Sequence, residues 1–175
     1  AVNDGELDMG LILGGLPTAA YGNVRQVAAL GVEPLHLLVR RELLEANPAP
    51  SLEILRGLRV SIGEPGANGT RLAEDLLQLA GLMSDSSDPS SKFIAEHLAE
   101  PALLNQIVAW RDAPSAEKEA LRKRLPDAAF VVDSMPSEVV DELIRDGDYG
   151  LLPLPFATAL QVHRQAQVDR REHVV

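Results

Sequence analysis

Cysteine is absent from the 175 residues, which excludes thiol catalysis and a disulfide scaffold but leaves the cellular compartment open. Aromatic residues make up only 3% of the chain, so the core has to be built mainly from Leu, Val, Ile and Ala. Because the chain has few aromatic rings, it also offers few surfaces on which nucleic-acid bases can stack. Because the net charge of −10 repels a phosphate backbone, we expect no nucleic acid among the partners.

Long apolar runs are missing as well. None approaches the roughly 20 residues that a membrane helix needs, and no basic stretch leads into an apolar one as in a signal peptide. We therefore expect no direct insertion into a membrane. The chain starts abruptly, with residues 4–8 leading straight into an apolar run, and a start of this kind is compatible with a piece of something longer.

What the chain does contain is an alternation of short apolar runs and helical patterns. This alternation predicts an α/β fold with a largely parallel sheet flanked by helices. The apolar runs predict strands at 9–13, 35–39, 58–62, 128–132 and 151–154. The helical patterns predict helices at 18–30, 71–82, 92–110, 115–125 and 137–145, the last capped by Ser137.

A glycine-rich turn that runs into a predicted helix is the first candidate binding site. Unpaired backbone N–H groups at such a point favour an anion, either a carboxylate or a phosphate. Gly66 and Gly69 allow a ligand to approach the backbone closely, and the side chains of Asn68 and Thr70 could donate hydrogen bonds to it. A cap made by Asn68 or Thr70 explains the same residues.

Two further loops follow predicted strands, at the positions where open α/β sheets place ligands. Gly14, Gly15 and Thr18 follow the strand at 9–13, although ordinary turn chemistry explains the glycines equally well. Ser134 follows the strand at 128–132 and is a further candidate for the cleft. Arg40 and Arg41 could clamp a carboxylate, but arginines at strand ends are more often solvated.

Enzyme chemistry finds no support in the motifs. Ser115 and Lys118 have the spacing of a Ser-x-x-Lys nucleophile, but its companion motifs are absent. The four histidines do not share a helix face, so no metal site is expected. The glycine-rich loop lacks the Lys and Ser or Thr of a nucleotide-binding loop. We predict no catalytic residue, no metal and no cofactor.

A series of short motifs resembles the TAXI family of solute receptors for TRAP transporters. The stretch 4–11 is similar to the family's "Gly-Glu-x-Asp-x-Gly-Ile" motif, and 33–40 is similar to its next strand. The stretch 55–63 resembles "Leu-Lys-Gly-Lys-Arg-Val", and 65–70 resembles the "Pro-Gly-Ser-Gly-Thr" turn. Residues 127–130, Pro136 and 151–154 match the later pattern in the same order.

The resemblance implies a type II periplasmic-binding-protein fold, in which two α/β lobes close on a small amino acid or other carboxylate. It assigns 1–50 to a partial first lobe and crossover strand, 51–155 to the second lobe, and 156–175 to a C-terminal helix or linker. It also implies delivery of the ligand to membrane transporter subunits, and a periplasmic or extracytoplasmic location. Tethering to the membrane would then depend on segments not in this chain.

Departures from the family pattern keep a second hypothesis open. The strand and helix units that usually complete the first lobe are missing, and Leu13 and Gly14 replace a polar pair that follows the family's first strand. These departures favour a degenerate or fused sensor domain, which would use the same fold for regulation or protein interaction.

Overall fold

A computed structural model describes residues 1–11, 21–25, 27–28, 30–83 and 93–154, with the side chain of Asn68 excepted. These residues form an α/β domain with a single five-stranded sheet and a short 3-10 turn at Leu52–Leu55. The strands are β1 Leu35–Arg40, β2 Arg59–Ser61, β3 Ile94–Glu96, β4 Ala128–Val132 and β5 Tyr149–Leu151. The helices are α1 Arg41–Glu45, α2 Asn68–Leu79, α3 Glu100–Asp112, α4 Ser115–Arg122 and α5 Glu138–Arg145.

The sheet is mixed, with the strand order β3-β2-β4-β1-β5. Strand β2 pairs in parallel with β3 and β4, whereas β1 pairs antiparallel with β4 and β5. Four strands therefore run in one direction and only β1 runs against them. The predicted α/β class and the mostly parallel sheet are confirmed.

Side chains of successive residues in β1 point to opposite faces of the sheet, and both faces are covered. Leu37 and Val39 belong to a core that includes Leu76 and Leu77 of α2. Leu38 belongs to a second core on the other face, built with residues of α3 and α5. Because both faces are buried, the strand reads as a continuous apolar run in the sequence.

Three elements agree closely with the sequence prediction. Strand β4 has the predicted bounds, and β1 is one residue longer than expected. Helix α5 begins directly after Ser137, whose hydroxyl oxygen accepts a hydrogen bond from the backbone N–H of Val140 at 3.0 Å. The predicted cap is therefore confirmed.

The helical pattern predicted over 92–110, with Pro101 as an interruption or a start, is confirmed only for its second part. Residues 94–96 form the edge strand β3, and α3 starts only at Glu100. The strand depends on parallel pairing with 59–61 of β2, a contact that the local sequence does not encode. Smaller differences occur at α2, which begins at Asn68, and at β5, which lies slightly before the predicted 151–154.

The strand predicted at 9–13 is absent over Met9–Leu11, and its last two residues lie outside the described part. The helix predicted at 18–30 is likewise absent at the residues of that range that the structure describes, namely 21–25, 27–28 and 30. In the described portion of the chain, no helix combines the length and apolar character needed to cross a membrane.

Candidate functional site

The candidate site lies at the edge of the sheet where β2 and β4 end. These two strands are parallel neighbours, so the loops that follow them leave the sheet side by side. After β2 the chain crosses to β3 on one side of it, and β4 then forms on its other side. A reversal of this kind is the point at which open α/β sheets bind ligands.

Helix α2 begins at this edge without a side-chain cap. Ala67 occupies the N-cap position, where its methyl group offers no acceptor. The first helical hydrogen bond runs from the N–H of Arg71 to the carbonyl oxygen of Ala67 at 3.2 Å. The backbone N–H groups of Asn68, Gly69 and Thr70 consequently have no partner within the helix.

Thr70 braces the turn that precedes α2. Its side chain is 3% exposed, and its hydroxyl donates to the carbonyl oxygen of Glu64 at 2.5 Å. Gly63 has a φ of +88°, and a Cβ at that position would lie 2.9 Å from the Thr70 hydroxyl oxygen. The hydroxyl hydrogen of Thr70 is therefore engaged by Glu64. The backbone N–H of Thr70 lies in the first turn of α2, without a partner within the helix.

His97 follows β3 and approaches the same turn. Its Nδ1 atom lies 3.2 Å from the carbonyl oxygen of Gly63. The turn is therefore held from two directions, by Thr70 from the helix and by His97 from the neighbouring strand. The predicted site residue Gly66 is an exposed member of this turn.

Gly69 brings the start of α2 close to the end of β4. A Cβ at Gly69 would lie 3.1 Å from Cγ2 of Val132, the last residue of β4. The absence of a side chain therefore allows the helix start to approach the strand. As a result, the structure brings two of the predicted segments, 66–70 and Ser134, to one edge of the sheet.

Asp133 and Ser134 form the first residues after β4. The carboxylate of Asp133 accepts hydrogen bonds from the backbone N–H of Ser134 at 2.7 Å and from the Ser137 hydroxyl at 2.5 Å. The Ser137 bond, then the Ser134 bonds and the charge of His36, lower the pKa of Asp133. The exposed Ser134 side chain contributes a longer contact of 3.5 Å to the same carboxylate.

A second carboxyl group, Glu100, stands at the first residue of α3. Partial burial of the Glu100 carboxyl group is the largest effect and raises its pKa. The negative charge of Asp133 raises this pKa further. Its residue is nevertheless exposed, so solvent screens the interaction between the two carboxyl groups. The edge therefore combines N–H groups of α2 that lack a partner within the helix with acidic side chains beside β4.

The sequence singled out five further residues. Gly14, Gly15 and Thr18 fall outside the described residues. Arg40 and Arg41 lie at the opposite edge, because β1 runs antiparallel to β4. They are structural: Arg40 donates to the carbonyl oxygens of three residues, and Arg41 pairs with Asp148 at 3.3 Å.

Two residues of this edge were missed by the sequence prediction. Asp133 directly precedes the candidate Ser134. Its position after the apolar run 128–132 could have identified it as a residue of the same loop. His36 lies inside an apolar run, and only the pairing of β1 with β4 places it opposite Val131, two residues before Asp133. In the described ranges, no group of three or more His, Cys, Asp or Glu side chains is arranged to hold a metal ion.

No known family model and no curated protein matches the sequence. Among solved structures, XAC2383 from Xanthomonas citri bound to chloride ion is similar, with 18% identity over 83% of this chain and 68% of that chain and a TM-score of 0.39. XAC2383 bound to ATP gives 21% identity over 83% and 70% of the two chains, with a TM-score of 0.32. These TM-scores are too low to support an argument about fold or function.

Proposed function

We propose that this chain binds a small organic anion, an amino acid or another carboxylate, as the solute-binding component of a TRAP-type transport system. The observation that carries the proposal is the uncapped start of α2 at the edge where β2 and β4 end. Three successive N–H groups without a helical partner attract negative charge, and the dipole of the 12-residue helix adds to the attraction.

The direction of β1 supports the two-lobe part of this proposal. Strand β1 lies within the segment 1–50 and inserts between β4 and β5, against the direction of both. A crossover strand that arrives from another lobe would enter a sheet in this way. The type II periplasmic-binding-protein fold, with 51–155 as its second lobe, is therefore part of the proposal.

The proposed ligand contacts lie at the same edge. The backbone N–H groups of Gly69 and Thr70 receive the anion, and the exposed side chain of Ser134 faces it from the next loop. Closure of two lobes around the ligand requires that the ligand bind the closed state more tightly than the open one. The residues of the first lobe, including Gly14, Gly15 and Thr18, would supply the opposite wall.

A thermal-shift titration with glutamate, glutamine and succinate tests the proposal. A ligand that binds only the folded state raises the melting temperature, by about 5–10 °C at a concentration about 100 times its Kd. The informative variant is Ala67→Asp, which places a carboxylate at the N-cap of α2. It should stabilise the free protein, because it caps the helix, and abolish the ligand shift, because it occupies the anion site.

Pro114→Asp is the matched control, because it introduces the same side chain at the N-cap of a different helix, α4. It should retain the full ligand shift. If Ala67→Asp is stabilised and still responds to the ligand, the anion does not bind at α2. A general loss of stability cannot imitate the expected result, since the free variant should melt at a higher temperature.

The carboxyl groups of Asp133 and Glu100 favour a second candidate function. Negative charge beside β4 opposes an anion and is compatible with a degenerate domain that serves regulation or protein interaction. The same titration separates the two functions. A well-folded wild type that shows no shift with any of the three compounds would support the regulatory function and overturn solute binding.

A further inference from the structure

Helix α4 lies on the domain without burying a side chain. Residues 115–120 are exposed, and Leu121, the one large apolar residue of the helix, is only half-buried. Pro114 at the N-cap position offers no side-chain acceptor to the first turn. Helices shorter than about 12–15 residues are marginal in water, and packing of an apolar face normally stabilises them in proteins. The eight residues of α4 therefore need another source of stability.

Trp110 is the residue against which α4 is held. It lies in α3, at the margin of the second core, and is half-buried. Two cations of α4 stand over its ring. The Nζ atom of Lys118 lies 5.8 Å from the ring centroid, and Cζ of Arg122 lies 5.2 Å from it. A cation at such a distance is attracted by the negative face of the indole, so charge supplies a contact between α3 and α4.

Arg122 also joins α4 to two other parts of the chain. Its Nη2 atom lies 3.1 Å from a carboxylate oxygen of Glu42 in α1 and 3.3 Å from one of Asp148, directly before β5. The Arg122 side chain is 19% exposed, so these pairs are better shielded from solvent than the exposed pair of Lys123 and Glu119. One guanidinium group therefore connects α4 with α1, with α3 and with the start of β5.

The segment that follows α4 is fixed in a different way. Arg40 from β1 and Arg59 from β2 together donate to the backbone carbonyl oxygens of residues 122–125. Leu125 is in addition buried in the second core. These contacts can hold residues 122–125 in place when the helical hydrogen bonds of α4 break. Opening of α4 therefore need not disturb the sheet.

We propose that α4 is a strap over Trp110 that opens by local unfolding, and that the contacts of Arg122 set how often it opens. In the open state residues 115–121 leave α3 and uncover Trp110, while the sheet and both cores stay folded. Contacts between partly exposed charges weaken in salt, because the Debye length falls to about 3 Å at 1 M. The strap should therefore open more often as the ionic strength rises. It lies beside Arg40, at the edge opposite the candidate site, so the inference does not depend on anion binding.

Native-state hydrogen exchange, corrected for the intrinsic rate of each amide, measures this opening. The amide of Lys118 donates to the carbonyl oxygen of Pro114, and that of Lys123 donates to the carbonyl oxygen of Glu119. Amides of β1 and β4 report opening of the whole domain in the same samples. We expect protection in the strap to be at least about tenfold lower than in the sheet. It should fall a further roughly threefold when sodium chloride is raised from about 0.05 M to about 1 M, whereas protection in the sheet should not fall.

Two matched variants assign the effect to Arg122. Arg122→Met keeps an apolar stem but loses the ion pairs and the cation over the indole, so protection of the strap should fall roughly tenfold and lose most of its dependence on salt. Arg124→Met makes the same substitution at an exposed residue just after α4 and should behave as the wild type. The salt series uses the wild-type protein, so it decides the proposal even if a variant fails to fold. The proposal is overturned if the strap exchanges only together with the sheet, if salt leaves its protection unchanged, or if both variants have the same effect.

Discussion

At the scale of single residues, Tyr149 shows how burial determines chemistry. It is completely buried, and its hydroxyl donates to the carbonyl oxygen of Pro126 at 2.6 Å. Burial disfavours the charged tyrosinate and, as the largest effect, raises the pKa of Tyr149 to about 12. The proton is therefore held more tightly in the folded state, where the ordinary value of 10.0 no longer applies.

The sign of the pH dependence follows from this difference. Below pH 10, the unfolded value, Tyr149 contributes its full stabilisation, which is lost as the pH rises toward about 12. The chain has two tyrosines, so Tyr21→Phe leaves Tyr149 as the only one. We expect the tyrosinate absorbance of this variant to appear with a midpoint near 12 when folded and near 10 in concentrated urea. A folded midpoint near 10 would contradict the burial argument.

At the scale of elements, the sequence predicts the strands and helices that depend on interactions between neighbouring residues, and it misses those that depend on distant segments. Strand β4 and helix α5 were predicted from local signals, an apolar run for one and a Ser137 cap for the other. Strand β3 has only three residues and two of them are exposed, so no apolar pattern marks it. Its existence depends on pairing with β2, which is distant in sequence. The start of α2 was also misplaced, because the turn continues directly into helical geometry at Asn68.

The packing of α2 on β4 yields a prediction about Gly69. Gly69→Ala would bring a Cβ to 3.1 Å from Cγ2 of Val132. Valine is stiff at χ1 and yields little, so we expect the loss from overpacking to exceed the gain in helix propensity. The free energy of unfolding in urea should fall by about 1 kcal/mol.

A double-mutant cycle separates this clash from other effects of the alanine. Adding Val132→Ala removes the opposing methyl group, so Gly69→Ala should become neutral or stabilising in that background. Gly31→Ala is the matched control, because nothing lies within 4 Å of its Cβ position. Equal losses from Gly69→Ala in both backgrounds would show that contact with Val132 is not the cause.

At the scale of the whole molecule, Arg40 connects parts of the chain that are far apart in sequence. Its side chain is 12% exposed and lies at the end of β1 opposite the candidate site. It donates to the carbonyl oxygens of Pro126, Arg122 and Leu125 at 3.3, 2.7 and 2.8 Å. Asp127 lies 3.6 Å from the guanidinium and balances its charge.

Arg40→Met keeps the apolar stem but removes every donor from this arrangement. The carbonyl groups of Pro126 and Arg122 keep a second donor, but that of Leu125 loses its partner and Asp127 loses its countercharge in a partly buried place. We therefore expect the free energy of unfolding to fall by about 2–4 kcal/mol. Lys123→Met is the control, since Lys123 is 75% exposed and pairs only with Glu119 in the described part of the chain. Its effect should stay within about 0.5 kcal/mol. Chemical denaturation of both variants measures the contrast, and a loss below 1 kcal/mol for Arg40→Met would contradict a bracing role.

The sequence by itself determined the α/β class, the strands β1 and β4, and the capped start of α5, because apolar runs and cap residues act within a few positions. It also identified Gly66 and Ser134 as positions in loops that follow strands, whereas Gly69, predicted in the same turn as Gly66, lies in the first turn of α2. The tertiary structure decided the reversed direction of β1, the existence of β3, and the meeting of α2 with the end of β4. It also decided that α2 starts without a side-chain cap and that His36 lies opposite Val131, two residues before Asp133. All of these depend on hydrogen bonds and packing between segments far apart in the chain, which a local pattern does not record.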